Sequence, residues 1–400
     1  MINNIHKVLL VEPCYENFGG YFRAFGIAKS LAKKKIHVDL LISSNKKLDL
    51  LIRSKKINDF LTIITLPRIE IHFFINGRIL RGVIASIFIL LKKYDIIHLF
   101  AVVHFESNIP LILFSKTLGH KIIVDWDDYW TGIHKTISFY NKFGGIIPKY
   151  FRFCEYTVQK IAKYATATSD FLINELNKIG INKTHKIINC VDPTEFTPID
   201  KATARVFLKI PKDEKFLLVF GNTFFKERTI YLLRFFEKLQ FLDPSIKLYI
   251  NIDPKKLITE NCPEEVFEES IFNNIINVGF LNKKQLSHYS SATDAILFLM
   301  GETSYEKACF PIRVGAFINS ENVIITNETN TEACKTLKEY DSAVVDRDMN
   351  ILAQKTVSLL RDSLLQKKYQ QNVKRAKQAL SWNNQIEKLL RFYTEILSVE

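Results

Sequence analysis

Short runs of aliphatic and β-branched residues alternate with longer helical patterns along this chain, and the alternation happens twice. The first series of runs is 7–11 (KVLLV), 37–42, 61–66 (LTIITL), 95–99 (DIIHL) and 121–124 (KIIV), with helical periodicity over 21–35, 78–93 and 109–118. The segment 192–198 (DPTEFTP) then breaks the pattern. A second series follows at 216–220 (FLLVF), 246–252, 275–278, 295–299 and 323–326, with a helix predicted over 226–239. Strands of this length separated by helices predict βα units and parallel sheets buried on both faces. The expected fold class is therefore α/β, two doubly wound domains facing each other. A long helical stretch from near Asn350 leads into one amphipathic helix over 381–400, and 131–148 is the least patterned stretch, read as a loop.

The composition, 400 residues with 47% hydrophobic and 24% charged, is that of a globular chain rather than a disordered one. The longest clean apolar run is 83–91 (VIASIFILL). It is too short to span a hydrocarbon layer about 30 Å thick, which takes roughly 20 helical residues. No signal-peptide pattern is read at the start of the sequence. Six scattered cysteines show no CxxC and no metal-ligand spacing, so free thiols in a reducing cytoplasm and no metal site are expected. Residues 1–195 carry 27 Lys and Arg against 16 Asp and Glu, while the remainder carries 28 against 26. Basicity thus belongs to the first half, which suits an anionic membrane surface or a phosphorylated acceptor. It also suits solvated lysine-rich helix faces. No nucleic-acid motif accompanies it, and no nucleic-acid partner is expected.

Ligands of such folds sit beyond the carboxyl ends of the strands. After the first strand, Gly19 and Gly20 open a helix in a glycine-poor chain, which fits a phosphate at a helix N-terminus and equally a tight turn. After the 95–99 strand comes His104, a candidate hydrogen-bond partner in a catalytic site or a core histidine. After the 121–124 strand, Asp125-Trp126-Asp127-Asp128-Tyr129-Trp130 is dense in carboxylates and aromatics. Rings stack on sugars and carboxylates accept from hydroxyls, so carbohydrate contact is one reading; buried tryptophans beside helix-capping aspartates are the other. In the second half, Gly221 and Asn222 precede Lys226 and Arg228, cations that suit a diphosphate or a solvated first turn. The segment 301–318 carries Ser304, Glu306 and Pro311, the last predicted to start a helix.

The order of these features resembles the retaining glycosyltransferases of the GT-B fold, group 1 or family 4, over essentially the whole chain. The resemblance rests on the glycine pair, on DIIHLF and KIIVD, and on the hinge Val191-Asp192-Pro193-Thr194-Glu195-Phe196-Thr197-Pro198. It also rests on Ala204-Arg205 with Pro211-Lys212-Asp213-Glu214 before FLLVFGN, on Val278-Gly279-Phe280-Leu281 with Ala292-Thr293-Asp294-Ala295, and on Ser381-Trp382. It implies an acceptor-binding Rossmann-like domain over 1–195 and a donor-binding one over 196–375, with 376–400 packing back on the first. It further implies that Gly19, Gly20, Gly221, Asn222, Phe280, Leu281, Ser304 and Ile312 bind a nucleotide-sugar donor. By the same likeness His104, Asp127, Lys226, Arg228 and Glu306 serve catalysis, and Tyr21, Arg23, Trp126, Asp128 and Tyr129 hold a glycan, lipid-linked or small-molecule acceptor. No metal cofactor is implied, and a cytoplasmic protein at the inner membrane face is expected. Glu306 matches the first acid of the family's E-x7-E pattern, but 314–316 read Val-Gly-Ala where the second belongs. Asn222 stands where arginine is common, and Asn327-Glu328-Thr329-Asn330 replaces a glycine pair. These departures keep open a non-catalytic subunit that binds a glycan or a partner.

Overall fold

The computed structural model describes residues 5–70, 77–135, 145–192, 196, 198–221 and 225–398. They fall into two units: Met1–Cys190 with Ala308–Ile312 and Trp382–Glu400, and Val191–Lys307 with Arg313–Ser381.

The first unit contains β1 (Lys7–Tyr15), α1 (Tyr21–Lys33), β2 (His37–Ser43), β3 (Leu48–Asp49), β4 (Arg53–Asn58), β5 (Leu61–Leu66), β6 (Arg68–Ile69) and α2 (Arg78–Leu91). It continues with β7 (Ile96–Leu99), α3 (Phe105–Thr117), β8 (Lys121–Trp126), α4 (Ile146–Ala162), β9 (Ala165–Ala167), α5 (Asp170–Lys178) and β10 (Thr184–Lys186). The sheet order is β10-β9-β8-β7-β1-β2-β5-β4, parallel except where the edge strand β4 runs antiparallel to β5. β4 (RSKKIN) is exposed at every position, so no apolar run announced it. Its charges suit an edge that must not pair further. The stretch expected to be loop holds a 3-10 turn over Trp130–Lys135 and the start of α4, while 136–144 lie outside the described residues.

The second unit contains α6 (Lys201–Leu208), β11 (Phe216–Val219), α7 (Lys226–Leu242), β12 (Lys247–Ile250), α8 (Pro254–Asn261), β13 (Ile275–Asn277), α9 (Lys283–Ala292) and β14 (Ala295–Leu297). Then follow α10 (Ser304–Ala308), α11 (Arg313–Asn319), β15 (Ile324–Asn327), α12 (Glu332–Glu339), β16 (Ala343–Asp346), α13 (Met349–Arg361) and α14 (Ser363–Ala379). Its sheet is all parallel in the order β13-β12-β11-β14-β15-β16, the doubly wound order of a Rossmann fold. Asp362, whose carboxylate accepts from the Leu364 and Leu365 N–H groups, splits the helical stretch after Asn350 into two helices. Pro311 does not begin a helix; α11 starts at Arg313.

The last helix, α15 (Trp382–Leu397), belongs to the first unit. A Cβ on Gly26 of α1 would lie 2.5 Å from the Trp382 indole, so only a bare Cα lets the indole sit there. In each sheet the strand order reverses beside the first strand, between β1 and β7 and between β11 and β14. Those switch points are where ligands of open α/β sheets bind.

Candidate active site

At the second unit's switch point, the loops after β11 and β14 form a recess lined by Val219, Phe220, Arg228, Leu232, Leu297, Phe298, Leu299, Arg313 and Phe317. Arg228 lies in the first turn of α7 and turns inward, where its guanidinium donates to the Glu306 carboxylate. Both side chains are buried. Glu306 also accepts from the Gly301 N–H at 2.8 Å and the Thr303 hydroxyl at 3.0 Å, so a buried charge is fully paired. A Cβ on Gly301 would stand 2.1 Å from this carboxylate, which explains the glycine.

Gly221, at φ +144, plays the matching part on the other side: a Cβ there would meet the Arg313 guanidinium at 2.0 Å. The Asn251 side-chain amide ties this loop down, accepting from the Gly221 N–H at 3.2 Å and donating to its carbonyl at 3.3 Å. Asn327 does the same after β14, bonding both the N–H and the C=O of Met300. Two guanidiniums thus border one apolar recess, and neither the Gly221 nor the Gly301 backbone is shielded by a Cβ.

Several expected donor contacts are placed differently. Lys226 is exposed and pairs with Glu264, which raises its pKa; the partner of Arg228 along the recess is Arg313, which the sequence reading missed. Its signal was an arginine two residues beyond Pro311, at the start of a helix. Phe280 is 79% exposed, just beyond Gly279 (φ +66), with half-buried Leu281 beside it. Ser304 begins α10, and Ile312 lies in the 308–312 segment grouped with the first unit. Asn222 lies outside the described residues, as do Pro193–Glu195 and Thr197 of the expected hinge.

In the first unit the glycine pair serves another purpose. A Cβ on Gly20 would be 2.6 Å from the Glu12 carboxylate, so the space is taken by an acid rather than left for a phosphate. Glu12 accepts from the Cys14 N–H at 2.9 Å, and burial pushes its pKa up to about 7. Gly19, at φ +55, supplies the turn.

Three expected acceptor contacts are core groups instead. Tyr21 is buried and stacks on Phe25, with centroids 5.2 Å apart. Arg23 is buried in a two-point ion pair with Asp125, both contacts 2.7 Å, and donates to Asn189 at 3.1 Å. Trp126 is fully buried, its indole N–H on Glu155 at 3.3 Å and its ring edge-on to Tyr156. The alternation of a strand turns Asp125 and Trp126 to opposite faces, and both faces of this sheet are covered. Tyr129 is half-buried with its ring edge-on to Phe171, and Asp128 accepts from the Cys309 thiol at 2.9 Å.

Asp127 differs from these neighbours. It is half-buried beyond the end of β8, and burial, with Asp128 and Asp125 nearby, raises its carboxyl well above the usual range. A carboxyl whose proton is held more tightly by burial can donate to a sugar hydroxyl or exchange a proton with it. His104 is half-buried at the start of α3. Burial, then Arg78 and Arg81, pull its pKa down to about 3, so the ring is neutral. The sequence reading also missed His98, which is buried between the Tyr393 hydroxyl (2.7 Å) and the Thr166 hydroxyl (3.0 Å). Thr166 bonds Asp125 in turn, so α15 joins the network under the site.

No family model and no curated protein matches the chain. Solved structures do. Sucrose-phosphate synthase from Thermosynechococcus elongatus superposes with a TM-score of 0.74 at 14% identity, covering 99% of this chain and 100% of that one. WaaG, a glycosyltransferase involved in lipopolysaccharide biosynthesis, gives 0.66 at 14% identity, covering 98% and 100%. The catalytic domain of starch synthase IV from Arabidopsis thaliana, bound to ADP and acarbose, gives 0.66 at 12% identity, covering 98% and 99%. At these identities the shared property is the fold. The chain has the GT-B fold, of the kind found in these glycosyltransferases.

Proposed function

We propose that this protein is a glycosyltransferase that moves a sugar from a nucleoside-diphosphate sugar to a glycan, lipid-linked or small-molecule acceptor, with retention of configuration. The observation that carries the proposal is the pairing of Arg228 and Arg313 along the recess beside β11 and β14. Positive charge there stabilises the departing diphosphate, and such a preorganised group is typically worth about 2.7–4 kcal/mol. The Glu306 carboxylate fixes Arg228 in place. Gly221 makes room for the Arg313 guanidinium, and exposed Phe280 supplies a face for a base. On the first unit, Asp127 is the group suited to the acceptor hydroxyl. No metal enters the scheme, because the guanidiniums carry the positive charge.

Thermal shift with UDP, GDP, ADP, CDP and TDP tests this reading. A bound ligand at a hundred times its Kd stabilises by about 2.7 kcal/mol, so one nucleotide should raise the melting temperature well above the others. No shift with any of them would favour the non-catalytic binding subunit.

We place this activity in the cytoplasm, at an anionic membrane surface. Among the described residues, no helix is long and apolar enough to cross a membrane. Helix α2 instead exposes Ile79 and Leu80 together with Val83, Ile87, Leu90 and Leu91 of the apolar run at 83–91. Ile146 and Phe153 of α4 are exposed too, with Lys93, Lys149 and Arg152 as exposed cations. An apolar helix face rimmed by cations is the chemistry of an interfacial anchor.

A further inference from the structure

Arg81, in the first turns of α2, is 6% exposed, yet its Nε and Nη1 atoms are buried with no hydrogen-bond partner among the described residues. The neighbouring acids are engaged elsewhere. Glu70 accepts from Arg68 at 2.6 Å, and Glu106 accepts from the Tyr150 hydroxyl at 2.8 Å and from Arg78 at 3.5 Å. Burial, and next the charge of Arg78, lower the Arg81 pKa to about 10, which still leaves it charged near neutrality. A buried guanidinium with unbonded N–H groups is costly, and buried polar groups are otherwise almost always bonded.

A second orphan lies close by. His104 Nδ1 is buried with no partner among the described residues, and Arg78 and Arg81 both act on its ring. Packing brings these groups together, for a Cβ on Gly82 would meet the Ser107 carbonyl at 2.5 Å, so α2 and α3 touch backbone to backbone. The place is the carboxyl edge of the sheet: α3 follows β7, and the Arg68 guanidinium lies 5.2 Å from the Tyr15 ring at the end of β1.

We propose that Arg81, with His104 and Arg78, binds a phosphate group of the acceptor. A phosphate offers several acceptor oxygens to the unpaired N–H groups of Arg81 and brings a strong negative charge to them. The unpaired atoms stand whatever the chain catalyses; only the word acceptor rests on the transferase reading, which the nucleotide panel tests separately on the unaltered protein. The phosphate can belong to a soluble sugar phosphate or to a lipid headgroup.

Isothermal titration of the full chain at fixed ionic strength separates the sources, using inorganic phosphate, glycerol 3-phosphate and phosphatidylglycerol vesicles. Saturable binding of the soluble probes, weakened at least tenfold by Arg81→Gln and less by Arg81→Lys, supports a soluble phosphorylated acceptor. Binding of vesicles alone, lost in Arg81→Gln, supports a headgroup. Binding of no probe, or equal binding by wild type and Arg81→Gln, overturns the proposal. So does a phosphate-free Arg81→Gln that melts below wild type, because that marks Arg81 as a structural group.

Discussion

Arg228 and Glu306 lie 78 residues apart in the chain and form one buried ion pair, with the Gly301 N–H and Thr303 hydroxyl completing the carboxylate's bonds. Removing one partner strands a charge. Glu306→Ala is expected to cost about 3–5 kcal/mol in urea unfolding, and Arg228→Met combined with Glu306→Met less than that. A double variant as unstable as the single one would show that the pair is not the source of the cost.

Gly26 and Trp382 make a similar test of packing. Gly26→Ala is expected to destabilise by about 1–3 kcal/mol, because the new Cβ overlaps the indole. Trp382→Leu in the same chain should recover part of the loss, a coupling that a double-mutant cycle measures. Purely additive costs would contradict the contact.

The fold was legible because its signal is local: β-branched runs announce buried parallel strands, and the first strand of each series falls where the sheet order reverses. The weakly visible strands are the short or charged ones, such as β9 and β10 with three residues each, or the exposed Lys- and Arg-rich edge β4. The site was less legible, for a physical reason. Residues 125–130 look alike in sequence, yet Arg23 reaches across 102 residues to claim Asp125, Glu155 claims the Trp126 indole, and Cys309 claims Asp128. Which side chain remains available is decided by partners that composition does not name. Glu12 filling the space beside Gly20 is the same lesson in reverse.

Glu12 also predicts a pH dependence. Its pKa rises from 4.5 to about 7 through burial, so the native state binds more protons than the unfolded chain between those values. Stability therefore falls as pH rises from about 4.5 through 7 and levels off above. Glu12→Gln should flatten that slope and gain up to about 3 kcal/mol at pH 8, read by urea unfolding across pH. An unchanged slope would show that Glu12 titrates normally.

On α2, Val83 and Ile87 are exposed, so Val83→Asp with Ile87→Asp should leave the melting temperature nearly unchanged. Co-sedimentation with phosphatidylglycerol vesicles should drop several-fold, since buried apolar area drives interfacial binding. Undiminished co-sedimentation would remove α2 from the membrane account.

The most direct measurement is isothermal titration of wild type and Arg313→Gln with the preferred nucleoside diphosphate and its monophosphate. If the recess holds the donor's diphosphate, wild type binds the diphosphate more tightly than the monophosphate, and Arg313→Gln loses about 10–100-fold on the diphosphate, the worth of a charge-assisted bond. Equal affinity of both proteins for the diphosphate, or no binding by wild type, would contradict it.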